Sequence, residues 1–297
     1  MNIYFGLEAG GTKCVCLAAA GPEQILAERT IPTTTPGETL GAAAAFFAGL
    51  GLAPAACGVA SFGPAVTDPA SPNFGRIART PKPGWEGADM LDVFAAYAVP
   101  KGFDTDVNGA ALAEWRWGAG QSQAHLAYVT VGTGIGVGVL HEGRIAGGAW
   151  HLEMGHLRPR RAAGDDFPGL CPFHGDCFEG LASGPALLAR FGAELSALPG
   201  EHPAHALVAE YLGQLCAALA FSHAPGRIVL GGGVMQTPGL LARVRARSEA
   251  LLGGYAQFPE ASDMKTWLIA PGLGPRAGVL GATALAMQAA EPAVPSG

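Results

Sequence analysis

Two glycine-rich segments, far apart in the chain, most constrain its architecture. The first is GLEAGGTK (6–13) and the second is VGTGIGVG (131–138). Each lies between two runs that read as β-strands: 2–8 and 13–19 around the first, 125–131 and 135–140 around the second. Gly pairs supply the positive φ that tight hairpins need. Each segment is therefore predicted to be strand, Gly/Thr turn, strand, and the repetition predicts two related halves. Backbone N–H groups in such a turn are free to face an anion. Two of them could each grip one side of a polyphosphate. A P-loop is excluded: Gly6 and Gly11 have its spacing, but Thr12-Lys13 reverses its Lys-Ser/Thr order, and the segment joins strand to strand. The second segment misses G-x-G-x-x-G, so a dinucleotide fold is not supported.

The rest of the chain reads as alternating elements. A third strand covers 25–31, a helix 38–50 and a strand 56–62, ended by Gly63-Pro64. The Pro-rich stretch 64–84 reads as a loop hung from a strand end, where ligand contacts are common. Residues 101–117 read as a strand that turns into a helix at Thr105-Asp106. Asp106 has two readings. Asp is a favoured N-cap; a carboxylate at a strand's C-terminal end also lies where open α/β sheets bind ligands, and could take a proton from a substrate hydroxyl. Helices are predicted over 184–191, 203–224, 238–252 and 276–289, and strands over 226–230 and 266–270. The 226–230 strand runs into Gly231-Gly232-Gly233. Without side chains there, a flat ligand can approach the backbone.

Residues 156–177 carry His156, Cys171, His174 and Cys177 in the pattern H-x14-C-x2-H-x2-C. Zinc takes four thiolate or imidazole ligands in a tetrahedron at structural sites. Asp165, Asp166, Pro168, Gly169 and Gly175 disfavour a helix or central strand, and a loop this long needs a tie to be ordered. A metal clip supplies one; the plainer reading is two buried thiols and two surface imidazoles. The order is not that of a nucleic-acid zinc finger. Glu153 and Glu179 flank the loop, so a clipped loop would fix two carboxylates for a polyhydroxylated ligand.

Composition narrows the function. The chain has 297 residues, 49% hydrophobic and 14% charged, with 45 Gly, enough for a large core and two domains. A net charge of −6 argues against nucleic acid as main partner. No run of eighteen apolar residues suggests a membrane span, and MNIYFGLEAG enters a strand with no signal-peptide pattern. Cys14, Cys16, Cys57 and Cys216 lie in apolar runs and read as reduced core residues, which implies the cytoplasm.

Taken together, GLEAGGTK (6–13), SFGP (61–64), TPKPGW (80–85), TDVNGAALAE (105–114), VGTGIGVG (131–138), EMGH (153–156), CPFHGDCFEGLASGPA (171–186) and LGGGVM (230–235) resemble the ROK sugar kinases nearly end to end. Within that family the chain is similar to zinc-containing bacterial fructokinases. His174 stands at the middle ligand position, where ROK glucokinases typically offer Cys. The resemblance implies an actin-like ATPase (ribonuclease H-like) α/β fold, shared with hexokinase and the heat-shock seventy chaperones, with the active site in a cleft between two related domains. Expected bounds are 1–116, with a last helix at about 276–290 packing back on it, and 117–275. By the same resemblance Gly10, Gly11, Thr12 and Lys13 would form one phosphate loop and Gly132, Thr133 and Gly134 the other. Gly231, Gly232 and Gly233 would lie against adenosine. Asp106 would be the general base. Gly63, Asn108, Glu153, His156 and Glu179 would bind the sugar, His156 also binding zinc through its other nitrogen. Most ROK kinases have Asp where this chain has Glu8, near the magnesium, so contact there is expected through water. The implied ligands are ATP with Mg²⁺, structural Zn²⁺ and a hexose, with transfer to the 6-hydroxyl of fructose in a homodimer.

Three other readings remain at this level. A kinase of the same kind could act on glucose, mannose or N-acetylmannosamine. A sugar-responsive repressor would carry a helix-turn-helix before the first strand, where only Met1 stands, and would not be expected to be acidic. A non-catalytic, zinc-stabilised sugar-binding module would have no use for Asp106 and both hairpins.

Overall fold

The computed structural model describes residues 1–80, 82–255 and 263–291. Pro81, within the TPKPGW segment, lies outside the described residues. The first elements are β1 (Tyr4–Ala9), β2 (Lys13–Gly21), β3 (Gln24–Pro32), α1 (Pro36–Gly49), β4 (Ala56–Ser61), β5 (Lys101–Thr105) and α2 (Asp106–Trp117). They are followed by β6 (His125–Val131), β7 (Ile135–His141), β8 (Arg144–Ile145), α3 (Phe178–Ala182), α4 (Gly184–Phe191) and α5 (Pro203–His223). The chain closes with β9 (Arg227–Gly231), α6 (Leu240–Leu252), α7 (Met264–Trp267), β10 (Leu268–Ile269) and α8 (Ala277–Ala290). These elements form two compact units. Unit 1 comprises Met1–Trp117, Gly147–His151 and the chain from Pro275; unit 2 comprises Gly118–Ala146 and Leu152–Gly274. The segment Gly147–His151 returns to unit 1 although it lies inside the 117–275 span.

Unit 1 is built on a sheet of order β3-β2-β1-β4-β5. β1 pairs antiparallel with β2 and parallel with β4, so the hairpin strand sits in the middle. β4 is buried at all six positions, as expected of a strand covered on both faces. One cover is α8. A Cβ on Gly58 of β4 would overlap the Ala282 carbonyl, and one on Gly281 would overlap Gly109 of α2. These glycines let α8 press onto sheet and neighbouring helix, which is why the last helix belongs with the first strands. The other face holds Phe5, Phe47 and Phe94, with Phe5 and Phe47 stacked at 4.8 Å.

Unit 2 repeats the plan with order β10-β9-β6-β7-β8. β6 pairs antiparallel with β7 and parallel with β9. Its core gathers Val129, Val137, Leu212, Leu219 and Leu230. α5 is long and apolar enough to cross a membrane by length and composition alone, but most of its apolar stretch is buried inside the protein. It is a core helix.

Two local expectations fail. The strand predicted over 266–270 is a helical turn, α7, followed by the two-residue β10. The Asp263 carboxylate accepts from Lys265 N at 2.9 Å and caps that turn, while Trp267 Nε1 donates to Pro225 O at 2.8 Å. α3, which no sequence signal marked, begins just past the Cys/His loop, where Cys177 Sγ accepts from Gly180 N and opens a helix. Neither Gly10 nor Gly11 has a positive φ. Gly10 is required by close approach instead: a Cβ there would lie 2.8 Å from Lys13 O.

Candidate active site

In unit 1, β5 delivers Thr105 and α2 begins at Asp106. Thr105 caps the helix, its Oγ1 accepting from Asn108 N at 3.2 Å. Asp106 is not needed as the cap and remains at the strand's C-terminal end, its Oδ1 accepting from Val107 N at 2.8 Å. Burial pushes its carboxyl up to about 6, against backbone hydrogen bonds that lower it. Glu8, on β1, is pushed up to about 7, first by burial and then by the charge of Asp106, with Lys13 pulling it back. Glu8, Lys13 and Asp106 thus share one electrostatic neighbourhood. Two carboxylates raised side by side form a donor set whose repulsion a divalent cation relieves. A Cβ on Gly278 would overlap the Glu8 carboxylate, so Glu8 rests on the first turn of α8.

Behind Asp106, the expected Asn108 is paired with Asp104, a carboxylate that sequence reading missed. Asp104 Oδ1 accepts from Asn108 Nδ2 at 2.7 Å and from Thr105 N at 2.7 Å. Burial pushes Asp104 up to about 6 despite these bonds. Asn108 is buried, its amide nitrogen is taken, and its Oδ1 has no hydrogen-bond partner. An orphaned buried acceptor costs about 1–3 kcal/mol, and a ligand hydroxyl would satisfy it.

The Gly10–Thr12 turn is held by Gly10 N donating to Lys13 O at 2.9 Å. Gly11 faces open space, and Gly11, Thr12 and Lys13 are exposed. Lys82, also missed by sequence reading, donates from Nζ to Gly11 O. Its ammonium lies 5.7 Å and 5.9 Å from the ring centroids of Phe62 and Trp85. Lys82 thereby clamps the turn. Gly63 lies against the ring of His151, whose Nε2 accepts from Ala65 N at 3.3 Å. No periodicity or spacing singled out that buried histidine.

In unit 2, the backbone of Ile135, just after the Gly132–Gly134 turn, is the pivot. Its N–H donates to Glu179 Oε2 at 3.1 Å. Its carbonyl packs against Gly155, where any Cβ would overlap it. The first contact places Glu179 of α3 beside the turn; the second presses the Met154–His156 turn onto β7, bringing Glu153 and His156 there. Glu153 Oε2 lies 3.9 Å from His156 Nε2. The two flanking carboxylates and the imidazole converge next to the second Gly/Thr turn.

The four candidate metal ligands also converge, all four ligand atoms lying within 4.8 Å of one another. Cys171 Sγ is 3.7 Å from His156 Nδ1 and 3.7 Å from His174 Nδ1, and Cys177 Sγ is 3.6 Å from His156 Nδ1. A zinc tetrahedron with ordinary bond lengths has a sulfur–nitrogen edge of about 3.6 Å. The residues fit the ion. His156 turns Nδ1 inward and leaves Nε2 on the Glu153 side. Burial pushes the Cys177 thiol up to about 11, although Gly180 N–H favours its thiolate; metal binding must displace that proton. The loop is anchored separately by Asp165, whose carboxylate accepts from Arg190 and from the Tyr211 hydroxyl. Burial alone would raise Asp165, but these donors hold it below the usual carboxylate range.

A cavity of about 770 Å³ in unit 2 is lined by Gly132, Thr133, Gly184, Pro185, Glu194, Gly233, Gln236 and Thr237, among others. The second Gly/Thr turn and the glycine run therefore open on one space, of the size that takes a nucleotide-scale ligand. Gly233 lines it. The other two glycines serve packing: Gly232 has φ 92°, and a Cβ on Gly231 would lie 2.6 Å from the Tyr128 hydroxyl. Thr237 Oγ1 is buried without a hydrogen-bond partner. Gly184 N donates to Gly132 O at 2.7 Å and ties α4 to the turn. α4, Glu194 and Thr237 went unrecognised as cavity walls in the sequence.

The ROK family model matches residues 4–289. The chain belongs to the ROK family. It is 44% identical to a fructokinase of Zymomonas mobilis, over 97% of each chain. It is 40% identical to a putative fructokinase of Bacillus subtilis, over 98% of each. Among solved structures, a ROK glucokinase of Streptomyces griseus in complex with glucose and AMPPNP superposes with a TM-score of 0.73, at 26% identity, over 97% of this chain and 100% of that one. The actin-like sugar-kinase fold of this ROK protein accounts for the repeated sheets of its two units.

Proposed function

We propose that this ROK protein is an ATP-dependent fructokinase, transferring the γ-phosphoryl group of ATP to the 6-hydroxyl of D-fructose. The observation that carries the substrate assignment is the near full-length identity of 44% and 40% to proteins named as fructokinases, against 26% to a glucokinase. The environment of each residue supports the chemistry assigned to it. Phosphoryl transfer needs chiefly positioning and charge neutralisation. Gly10, Gly11, Thr12 and Lys13 hold one side of the terminal phosphates; Gly132, Thr133 and Gly134 hold the other, with the adenosine in the cavity bordered by Gly233. Bound Mg²⁺ would neutralise charge on the phosphates, with Glu8 beside it and water between.

Asp106 is the general base. Its carboxyl, at about 6, is ionised at neutral pH and basic enough to accept a proton. The sugar O6–H passes its proton to Asp106, the O6–phosphorus bond forms, the bond to the bridging oxygen breaks, and ADP leaves. Glu153, His156 and Glu179 hold sugar hydroxyls, Asn108 Oδ1 accepts from one more, and Gly63 leaves room for the ring. Zinc held by His156, Cys171, His174 and Cys177 would fasten the loop; four protein ligands leave it no open position. The enzyme acts in the cytoplasm as a homodimer, which sedimentation would check.

The test is Asp106→Asn. Loss of a positioned base lowers kcat by about 10²–10⁴-fold, with fructose binding retained. In the wild type kcat/KM falls as pH drops below about 6, as Asp106 takes up its proton. Unchanged turnover in the variant would remove Asp106 from this role.

A further inference from the structure

A second cluster of metal-ligating side chains lies in unit 2, apart from the Cys/His loop. β6 opens with His125 and β7 closes with His141, and the two are direct cross-strand partners. Their Nδ1 atoms face each other at 3.1 Å. The ring of His223, at the C-terminal end of α5, lies 5.7 Å from that of His141. All three are only partly buried, so solvent ions reach them. Two imidazole nitrogens this close cannot both carry a hydrogen; they share one proton or one cation. With metal–nitrogen bonds of about 2.0–2.1 Å, a separation of 3.1 Å sets an angle of about 95–100° at the ion. That is an ordinary angle for a first-row transition ion, and imidazole nitrogen is a ligand such ions favour.

We propose that His125 and His141 chelate a transition-metal ion at the open end of the β6–β7 hairpin, with His223 beside it as a further ligand. On binding, the ring that carried the shared proton shifts it from Nδ1 to Nε2. Both Nδ1 lone pairs then face the ion and no proton is lost. The site lies six residues along β6 from Val131, about 20 Å from the phosphate turn. It has no part in the chemistry. It fastens the hairpin's open end to the end of α5, and its signature is stability rather than turnover.

The probe is Ni²⁺ alone, titrated calorimetrically into full-length protein, with zinc content measured on the same sample. Wild type should take up one Ni²⁺ without losing zinc, and its melting temperature should rise with added Ni²⁺. His125→Ala and His141→Ala should each lose that equivalent, His223→Ala should weaken it, and His202→Ala should leave it in place. His141→Gln, similar in size and still polar, covers the case in which alanine impairs folding, and should lose it too. No Ni²⁺ uptake by wild type, uptake that survives in both His125 and His141 variants, or equal loss in His202→Ala would each overturn the site.

Discussion

Gly134→Ala isolates the link between the proposed sugar wall and the proposed phosphate turn. Gly134 has no positive φ, so the backbone accepts alanine, and removing a glycine by itself stabilises by about 0.4–1 kcal/mol. The new Cβ, however, would lie 2.5 Å from Glu179 Oε2, roughly 1 Å inside an ordinary contact. The carboxylate must swing away, and it now accepts from Ile135 N at 3.1 Å. A hydrogen bond to a charged acceptor contributes about 1.5–3 kcal/mol, so the net cost is about 1–2 kcal/mol. A misplacement of this size can cost on the order of 10²-fold in catalysis. Steady-state kinetics with each substrate varied in turn should show a rise of about 10-fold or more in the KM for fructose, exceeding any rise for ATP. Gly132→Ala is the comparison. Nothing lies within 4 Å of its Cβ position, so Glu179 stays put, and the effect should fall on ATP. Equal changes in both KM values for Gly134→Ala, or none, would refute the linkage.

Three further outcomes are expected. Cys171→Ser should lose zinc, measured by elemental analysis, and weaken fructose binding more than ATP binding, because His156 loses its anchor. Glu8→Gln should raise the melting temperature at pH 8 but little at pH 5, measured without divalent cations. Folding lifts Glu8 from 4.5 to about 7, so its stability cost is absent at low pH, grows as pH rises between those values, and reaches about 3 kcal/mol above them. Lys82→Met should raise the KM for ATP, because the Gly10–Thr12 turn loses the ammonium bound to Gly11 O; an unchanged KM would show that the turn holds without it.

Much of the fold was legible because its signals are local. Strand, Gly/Thr turn and strand can be read at 4–21 and again at 125–141, and the periodic helices fell where expected. Asp106 could be read only as an alternative to a helix cap, since nothing in the sequence says that Thr105 takes the capping bond. Asp104 was hidden because a buried carboxyl is indistinguishable from an exposed one until its neighbours are known. Lys82 and His151 act on residues 71 and 86 positions away, and pairings at that range leave no pattern. The glycines were seen but partly misread. Gly10 and Gly134 serve close approach rather than positive φ, a distinction that depends on what stands opposite each one. The convergence of the four candidate metal ligands was readable because ligand chemistry fixes both residue type and spacing.

The most direct test of the central claim is a coupled kinase assay with ATP and Mg²⁺ across fructose, mannose, glucose and N-acetylmannosamine, with zinc measured on the same preparation. The highest kcat/KM is expected on fructose, with about one zinc per chain. Highest activity on glucose would contradict the substrate assignment while leaving Asp106 as base, and no turnover on any sugar with zinc present would contradict catalysis itself.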